Sequence, residues 1–348
     1  MKLAALICLL SLRAEGPPAP AAGAIVPEGA KMELLWTRDD GRKGGLTEGP
    51  AAAPDGSIYF SDITLGKDKS RIMRFDPKTK KTTVFAKDAH KANGLMFDAA
   101  GRLIACEGSD LGGRCVSRWD VKTGKRTVLA DKYKGKRFNA PNDVCIDLKG
   151  RIYFTDPRYL GDEKRELEHR AVYRIDAGGE VEEVTHQCEK PNGIALSPDM
   201  KTLYVVDHNN GTDKIDPTAK PPKKGAMKLY AFPLDGDGKV VGPRRTVIDF
   251  GKEDGIDGMT TDVKGNLYMA VRSLKRPGVL ITNPEGKEIG FVPTGKPNQE
   301  EGKPGVGLPS NCDFGIGAES KVLYVTVDTS LYRIPLKIDG YHIPWAKK

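Results

Sequence analysis

One pattern recurs six times along this chain, and each copy begins with a single Glu, Asn or Asp. The copies are EGPAAAPDGSIYFSD (48–62), NGLMFDAAGRLIACE (93–107), NDVCIDLKGRIYFTD (142–156), NGIALSPDMKTLYVVD (192–207), DGMTTDVKGNLYMAV (257–271) and NCDFGIGAESKVLYVTV (311–327). The leading residues are Glu48, Asn93, Asn142, Asn192, Asp257 and Asn311. Self-similarity at a period of roughly 50 residues restricts the fold to stacked equal units, a solenoid or a propeller. One oxygen donor per unit also suggests a hard-cation site on a common axis.

The content of one unit decides between the two architectures. Within 142–176, Val144 to Ile146 form a short apolar segment, and a turn follows at Asp147-Leu148-Lys149-Gly150. Strand-like runs then cover Arg151 to Thr155, Val172 to Asp176 and Val181 to Thr185. Four antiparallel strands per unit describe a propeller blade. Third strands recur at 72–76, 116–120, 228–232, 278–282 and 330–334, and fourth strands at 82–85, 127–129, 246–248 and 289–293. With 40 Gly, 24 Pro and no long amphipathic helical period, the chain favours short strands and tight turns. After Ile334 too little chain remains for a fourth strand. Met32 to Thr37 has the character to supply it, which would close the ring and remove an exposed sheet edge. The expectation is an all-β, six-bladed β-propeller with four-stranded antiparallel blades around a central channel, a single domain over 25–348.

Strand direction locates the chemistry. The second strand of each unit runs back antiparallel to the first, so Asp62, Glu107, Asp156 and Asp207 return to the rim that carries the leading residues. The two long loops, 209–226 and 295–309, lie on the same face and are candidate lids or specificity elements.

Bulk properties narrow the partners. The formal net charge is +8, but Lys and Arg are scattered over turn segments without an interleaved aromatic platform. That pattern fits solvated hairpin tips and gives no support to nucleic-acid binding. Residues 1–24 read as a signal peptide: Lys2, an apolar run over 3–12, then a Pro/Ala-rich stretch ending in small residues. The expectation is a periplasmic or secreted protein without a membrane span, because the apolar run is too short to cross a bilayer. Beyond Cys8, the chain has Cys106, Cys115, Cys145, Cys188 and Cys312, with no CxxC pair or zinc spacing. Buried small hydrophobes are one reading of these cysteines, and a Cys106–Cys115 bridge is another.

Several segments in order resemble the gluconolactonase/regucalcin (senescence marker protein) superfamily. They are Glu48-Gly49-Pro50, 138–144 (FNAPNDV), 153–159 (YFTDPRY), Pro191-Asn192-Gly193-Ile194-Ala195 and Asp257-Gly258-Met259. The resemblance covers about 30–340. It implies a six-bladed propeller whose channel holds one divalent cation, calcium first, with magnesium, zinc or manganese as alternatives. It further implies lactone hydrolysis. By motif, Glu48, Asn192 and Asp257 correspond to metal ligands, and Asn142 to a substrate-binding residue that also ligates the metal in some members.

These residue types suit that chemistry. Two carboxylates and two amide oxygens form an all-oxygen set suited to calcium or magnesium. A cation polarises a lactone carbonyl and lowers the pKa of bound water. Water attack also needs a proton acceptor. Asp257 is the first candidate, as both ligand and base, with Glu107 and His90 behind it. Arg158 and Tyr159, just past Asp156, are placed to hydrogen-bond sugar hydroxyls or a carboxylate. Glu107 belongs to the same substrate-binding group, with a structural salt bridge as its competing role. No Gly-x-Ser-x-Gly elbow, P-loop or dinucleotide fingerprint is present. The expected activity is therefore metal-dependent hydrolysis of a small-molecule sugar lactone. The alternatives are a ligand-binding propeller with a structural ion and a related lactone or phosphoester hydrolase.

Overall fold

The computed structural model describes residues 16–42, 44–212, 223–300 and 306–346. Six four-stranded antiparallel sheets account for the repeats. Their innermost strands are Leu46–Ala52, Ala92–Phe97, Val144–Ile146, Pro191–Leu196, Ile256–Thr261 and Pro309–Phe314, for blades one to six. Second strands such as Leu103–Glu107 and Leu267–Val271 are buried along their whole length, because both faces meet neighbouring blades. Outer strands such as Lys81–Ala86 are mostly half-buried or exposed, which is where the chain carries its Lys and Thr. Apolar clusters fill the spaces between blades: Phe138, Phe154 and Tyr173 pack together in one, and Tyr268 meets Phe314 in another.

The last blade is completed as expected. Glu33–Thr37 pairs with Ser330–Pro335, with Glu33 opposite Arg333 and Thr37 opposite Ser330. A buried ion cluster reinforces the join. Arg38, just past the N-terminal strand, donates through Nε to Asp62 Oδ1 at 2.8 Å, and Arg71 Nε donates to Asp62 Oδ2 at 3.0 Å.

Of the expected leader, residues 1–15 lie outside the described residues. Ile25 and Val26 are buried against blades five and six. In the two long loops, 213–222 and 301–305 lie outside the described residues. No helix among the described residues is long and apolar enough to cross a membrane. The five described cysteines are all free and buried. Glu107, not Cys106, stands opposite Cys115 in the register, so the two thiols point to opposite faces of their sheet and cannot bridge.

The C-terminal tail crosses the face opposite the leading residues. Tyr341 N donates to Thr261 O at 3.0 Å, and Ala346 N to Ala99 O at 2.7 Å. Tyr341, His342 and Ile343 thereby close a cavity of about 70 Å³ at the far end of the channel, with Asp143 and Asp313 in its wall.

Candidate functional site

The leading residues are aimed by irregularities in the innermost strands. Pairing of first and second strands shifts register between Glu48 and Ala51, Ala92 and Leu95, Pro191 and Ile194, Ile256 and Met259, and Pro309 and Asn311. A bulge turns a side chain out of the regular alternation. Here it falls beside the leading residue in five blades.

The residue after it explains the recurring glycine. A Cβ on Gly94 would lie 2.4 Å from Asp143 Oδ1 and 2.7 Å from Asn142 O, and one on Gly193 would lie 2.4 Å from Asp257 O. The innermost strands therefore approach one another so closely that only glycine fits. Gly94 N also donates to Asn142 O at 2.7 Å, and Ser61 Oγ to Asn93 O at 2.7 Å.

Acids at the ends of second strands hold the segments leading into the innermost strands. Asp156 accepts from the N–H groups of Asn139 and Ala140 at 2.8 and 2.6 Å, just ahead of Asn142. Asp207 accepts from Glu189 and Lys190 at 2.9 and 2.8 Å, just ahead of Asn192. Asp328 does the same for Gly307 and Leu308, ahead of Asn311. Burial pushes Asp156 and Asp207 each up to about 6.

A cavity of about 240 Å³ opens at this rim. Glu48, Asn93, Asn142, Asn192 and Asp257 all line it, together with Tyr159, His208, Lys91 and Arg272. Asn192 Nδ2 donates to Asp257 Oδ1 at 2.6 Å and to the Tyr159 hydroxyl at 3.0 Å, and that hydroxyl donates to His208 O at 3.0 Å. Arg272 Nη1 stands 3.4 Å from Asp257 Oδ2. Asn93 Oδ1 is buried without a protein partner among the described residues. Burial, reinforced by the charges of Asp257 and Asp143, pushes the Glu48 carboxyl well above the usual range. Burial pushes Asp143 up to about 7.

Other expected site residues turn away. Glu107 is fully buried and takes Arg126 Nε at 2.6 Å, Ser117 Oγ at 2.6 Å and the Cys115 thiol at 3.2 Å. It lies outside the cavity lining, in the salt-bridge role. Arg158 has left-handed backbone (φ 68°) and donates to the carbonyls of Gly161 and Glu163, so it braces its own loop. His90 is partly exposed and absent from the cavity lining, with Asp88 at 3.8 Å.

Three residues escaped the sequence reading, Asp143, Lys91 and Arg272, and a fourth, His208, is visible there at the end of a second strand but without a role. Asp143 and Lys91 each sit one or two positions from a leading residue. Arg272 comes directly after the second strand of blade five, and His208 ends that of blade four; both N–H groups bond back to the segment ahead of the innermost strand, so aligning the repeats one residue further would have singled out both. His208 Nδ1 lies 2.7 Å from Ile256 O; a carbonyl only accepts, so Nδ1 carries the proton and Nε2 the lone pair. Burial lowers its pKa and keeps the ring neutral.

The chain resembles known proteins over most of its length. Residues 46–329 match the family described as SMP-30/Gluconolactonase/LRE-like region. A gluconolactonase from Zymomonas mobilis is 28% identical over 319 residues, covering 84% of this chain and 79% of its own. Regucalcin from Bos taurus is 28% identical over 273 residues, covering 78% of each. The solved structure of a gluconolactonase from Xanthomonas campestris superposes with a TM-score of 0.70 at 25% identity, over 93% of this chain and 98% of its own. With the propeller, the ring of leading residues and a match over most of its length, the chain belongs to the SMP-30/gluconolactonase/LRE-like family.

Proposed function

We propose that the protein hydrolyses sugar lactones in the cavity at the channel mouth, with a divalent cation, calcium first, held at its floor. One observation carries this reading. The carboxylates of Glu48 and Asp257 and the amides of Asn93, Asn142 and Asn192 converge from five blades on one cavity. The cavity is concave, carries a few convergent polar groups and lies in a family whose named relatives include gluconolactonases.

The donor set fits a hard cation. Among the described residues no three His, Cys, Asp or Glu side chains form a metal cluster by themselves. Amide oxygens would therefore complete the set: Glu48, Asn192 and Asp257 as ligands, with Asn142 beside them. The partnerless Asn93 Oδ1 and the raised pKa of Glu48 both describe a site short of positive charge. A cation bound there would supply carbonyl polarisation and a more acidic water.

The chain's own residues do the rest. Asn142, Asn192 and the Tyr159 hydroxyl orient the sugar through its hydroxyls. Asp257, or the neutral His208 imidazole, accepts a proton from the attacking water. The water oxygen bonds to the carbonyl carbon, the ring C–O bond breaks, and the ring oxygen takes the proton. The product is a hydroxy acid.

The test is glucono-δ-lactone hydrolysis by purified protein before and after chelation, with calcium, magnesium, zinc and manganese added back singly. Turnover that falls on chelation and returns with one ion supports the reading. A rate no faster than spontaneous hydrolysis under every condition would refute it.

A further inference from the structure

Among the described residues, Lys91 and Arg272 are the cationic side chains lining the cavity, and they differ in what they leave for a ligand. The Lys91 ammonium donates to the carbonyls of Thr64, Gly66 and Asp68 at 2.7, 2.8 and 3.0 Å, with the Asp110 carboxylate at 3.7 Å. An ammonium has three donors, and all three are taken. Lys91 therefore ties the loops of blades one and two together and offers nothing to a substrate.

Arg272 is different. Its backbone is pinned by the bond from its N–H to Gly255 O at 2.9 Å. Of its guanidinium, only Nη1 is engaged, with Pro309 O at 3.3 Å and Asp257 Oδ2 at 3.4 Å. A guanidinium carries five N–H donors in a planar fork. Nε and Nη2 make no hydrogen bond among the described residues, and the side chain is 26% exposed on the cavity wall. The other nearby acid, Asp328, already receives two backbone N–H groups.

We propose that Arg272 recognises the carboxylate that lactone opening creates. This rests on the lactone-hydrolase reading. A lactone is uncharged, and its hydrolysis product carries a carboxylate at the carbon that water attacked. Arg272 stands beside Asp257, one of the two candidate acceptors for that water's proton, so the new carboxylate forms within its reach. The guanidinium fork matches a carboxylate in two parallel hydrogen bonds, which a point-like ammonium cannot reproduce. The substrate class is then a neutral sugar lactone, and the corresponding aldonate is a competitive product inhibitor held through Arg272.

The experiment compares gluconate with sorbitol, a neutral polyol of the same chain length, by titration calorimetry at saturating calcium. Wild-type protein is expected to prefer gluconate. Arg272→Gln should weaken gluconate about 10- to 100-fold, the range of a charge-assisted bond, and leave sorbitol unchanged. Arg272→Lys should recover only part of the loss. Melting temperature and calcium affinity, measured on both variants, report whether the fold and floor are intact. Equal weakening of both ligands, full recovery by Lys, or no wild-type preference for gluconate would each overturn the proposal. Arg272-dependent gluconate binding without lactone turnover would refute the hydrolase reading and leave the carboxylate site standing. Turnover without that dependence would do the opposite.

Discussion

Asn192 and Asp257 stand on adjacent blades, and the Asn192 amide donates to Asp257 Oδ1 at 2.6 Å. This bond fixes one carboxylate oxygen and leaves Oδ2 between Arg272 and the cavity. Asp257→Asn preserves size but removes a charge and a proton acceptor. We expect kcat for lactone hydrolysis to fall by about 10²-fold or more. His208→Gln separates the two candidate acceptors: if Asp257 is the base, it should lower kcat several-fold less than Asp257→Asn. Steady-state kinetics on both variants checks this, and the reverse order would assign the base to His208.

Cation binding should be linked to protons. Glu48 holds its proton to unusually high pH because it is buried beside Asp257 and Asp143. A bound cation would require it ionised, so calcium affinity should rise with pH and binding should release protons. Calorimetry in buffers of different ionisation enthalpy measures that release directly. Pre-ionised ligands would release none.

The clamps that hold the segments ahead of Asn142 and Asn192 predict a pH trend in stability. An unfolded Asp ionises near about 4, and folded Asp156 and Asp207 near about 6. Between those values the native state binds more protons, so stability falls as pH rises through the window and then levels off. Asp143, pushed up to about 7, extends the same trend. In Asp156→Asn/Asp207→Asn, urea midpoints should be lower overall but change less between pH 4.5 and 6.5. An unaltered slope would show that these carboxyls titrate normally.

How much of this was legible in the sequence depended on whether the signal repeated. Six copies of a turn between two apolar runs identified the blades, and the missing strand after Ile334 pointed to Met32 to Thr37. Strand limits fall within about one residue of the expected ones, as for Val181–Thr185. Single-residue pairings across a sheet left no trace. The reach of Arg126 from the fourth strand to Glu107 removed that carboxylate from the site. The left-handed backbone at Arg158 turned its side chain into its own loop. The C-terminal tail has no period at all, yet it closes the channel.

The join between the chain ends should be measurable. Asp62 is fully buried between Arg38 and Arg71. Asp62→Ala leaves Arg38 without its carboxylate and Arg71 with only Asp40, and should cost about 3–5 kcal/mol by denaturant unfolding. Deleting residues through Thr37 should also expose the edge of Ser330–Pro335 and cause association, visible by light scattering. A monomeric deletion variant of normal stability would argue that the join is dispensable.

Residues 1–24 are proposed to be removed on export. N-terminal sequencing of protein from the native host should begin near Ala24. Met1 or Lys2 on most molecules would rule that out.

Pairing of Glu33–Thr37 with Ser330–Pro335 also imposes an order in time. The two strands lie at opposite ends of the chain, so the ring cannot close until translation has delivered the sixth blade. Until then the nascent chain is a row of blades with two open edges, and its longest-range strand pairing, the slowest kind to form, is still missing. Were the chain exported as proposed, the same delay would keep it threadable through a translocation pore until its last strand had been made.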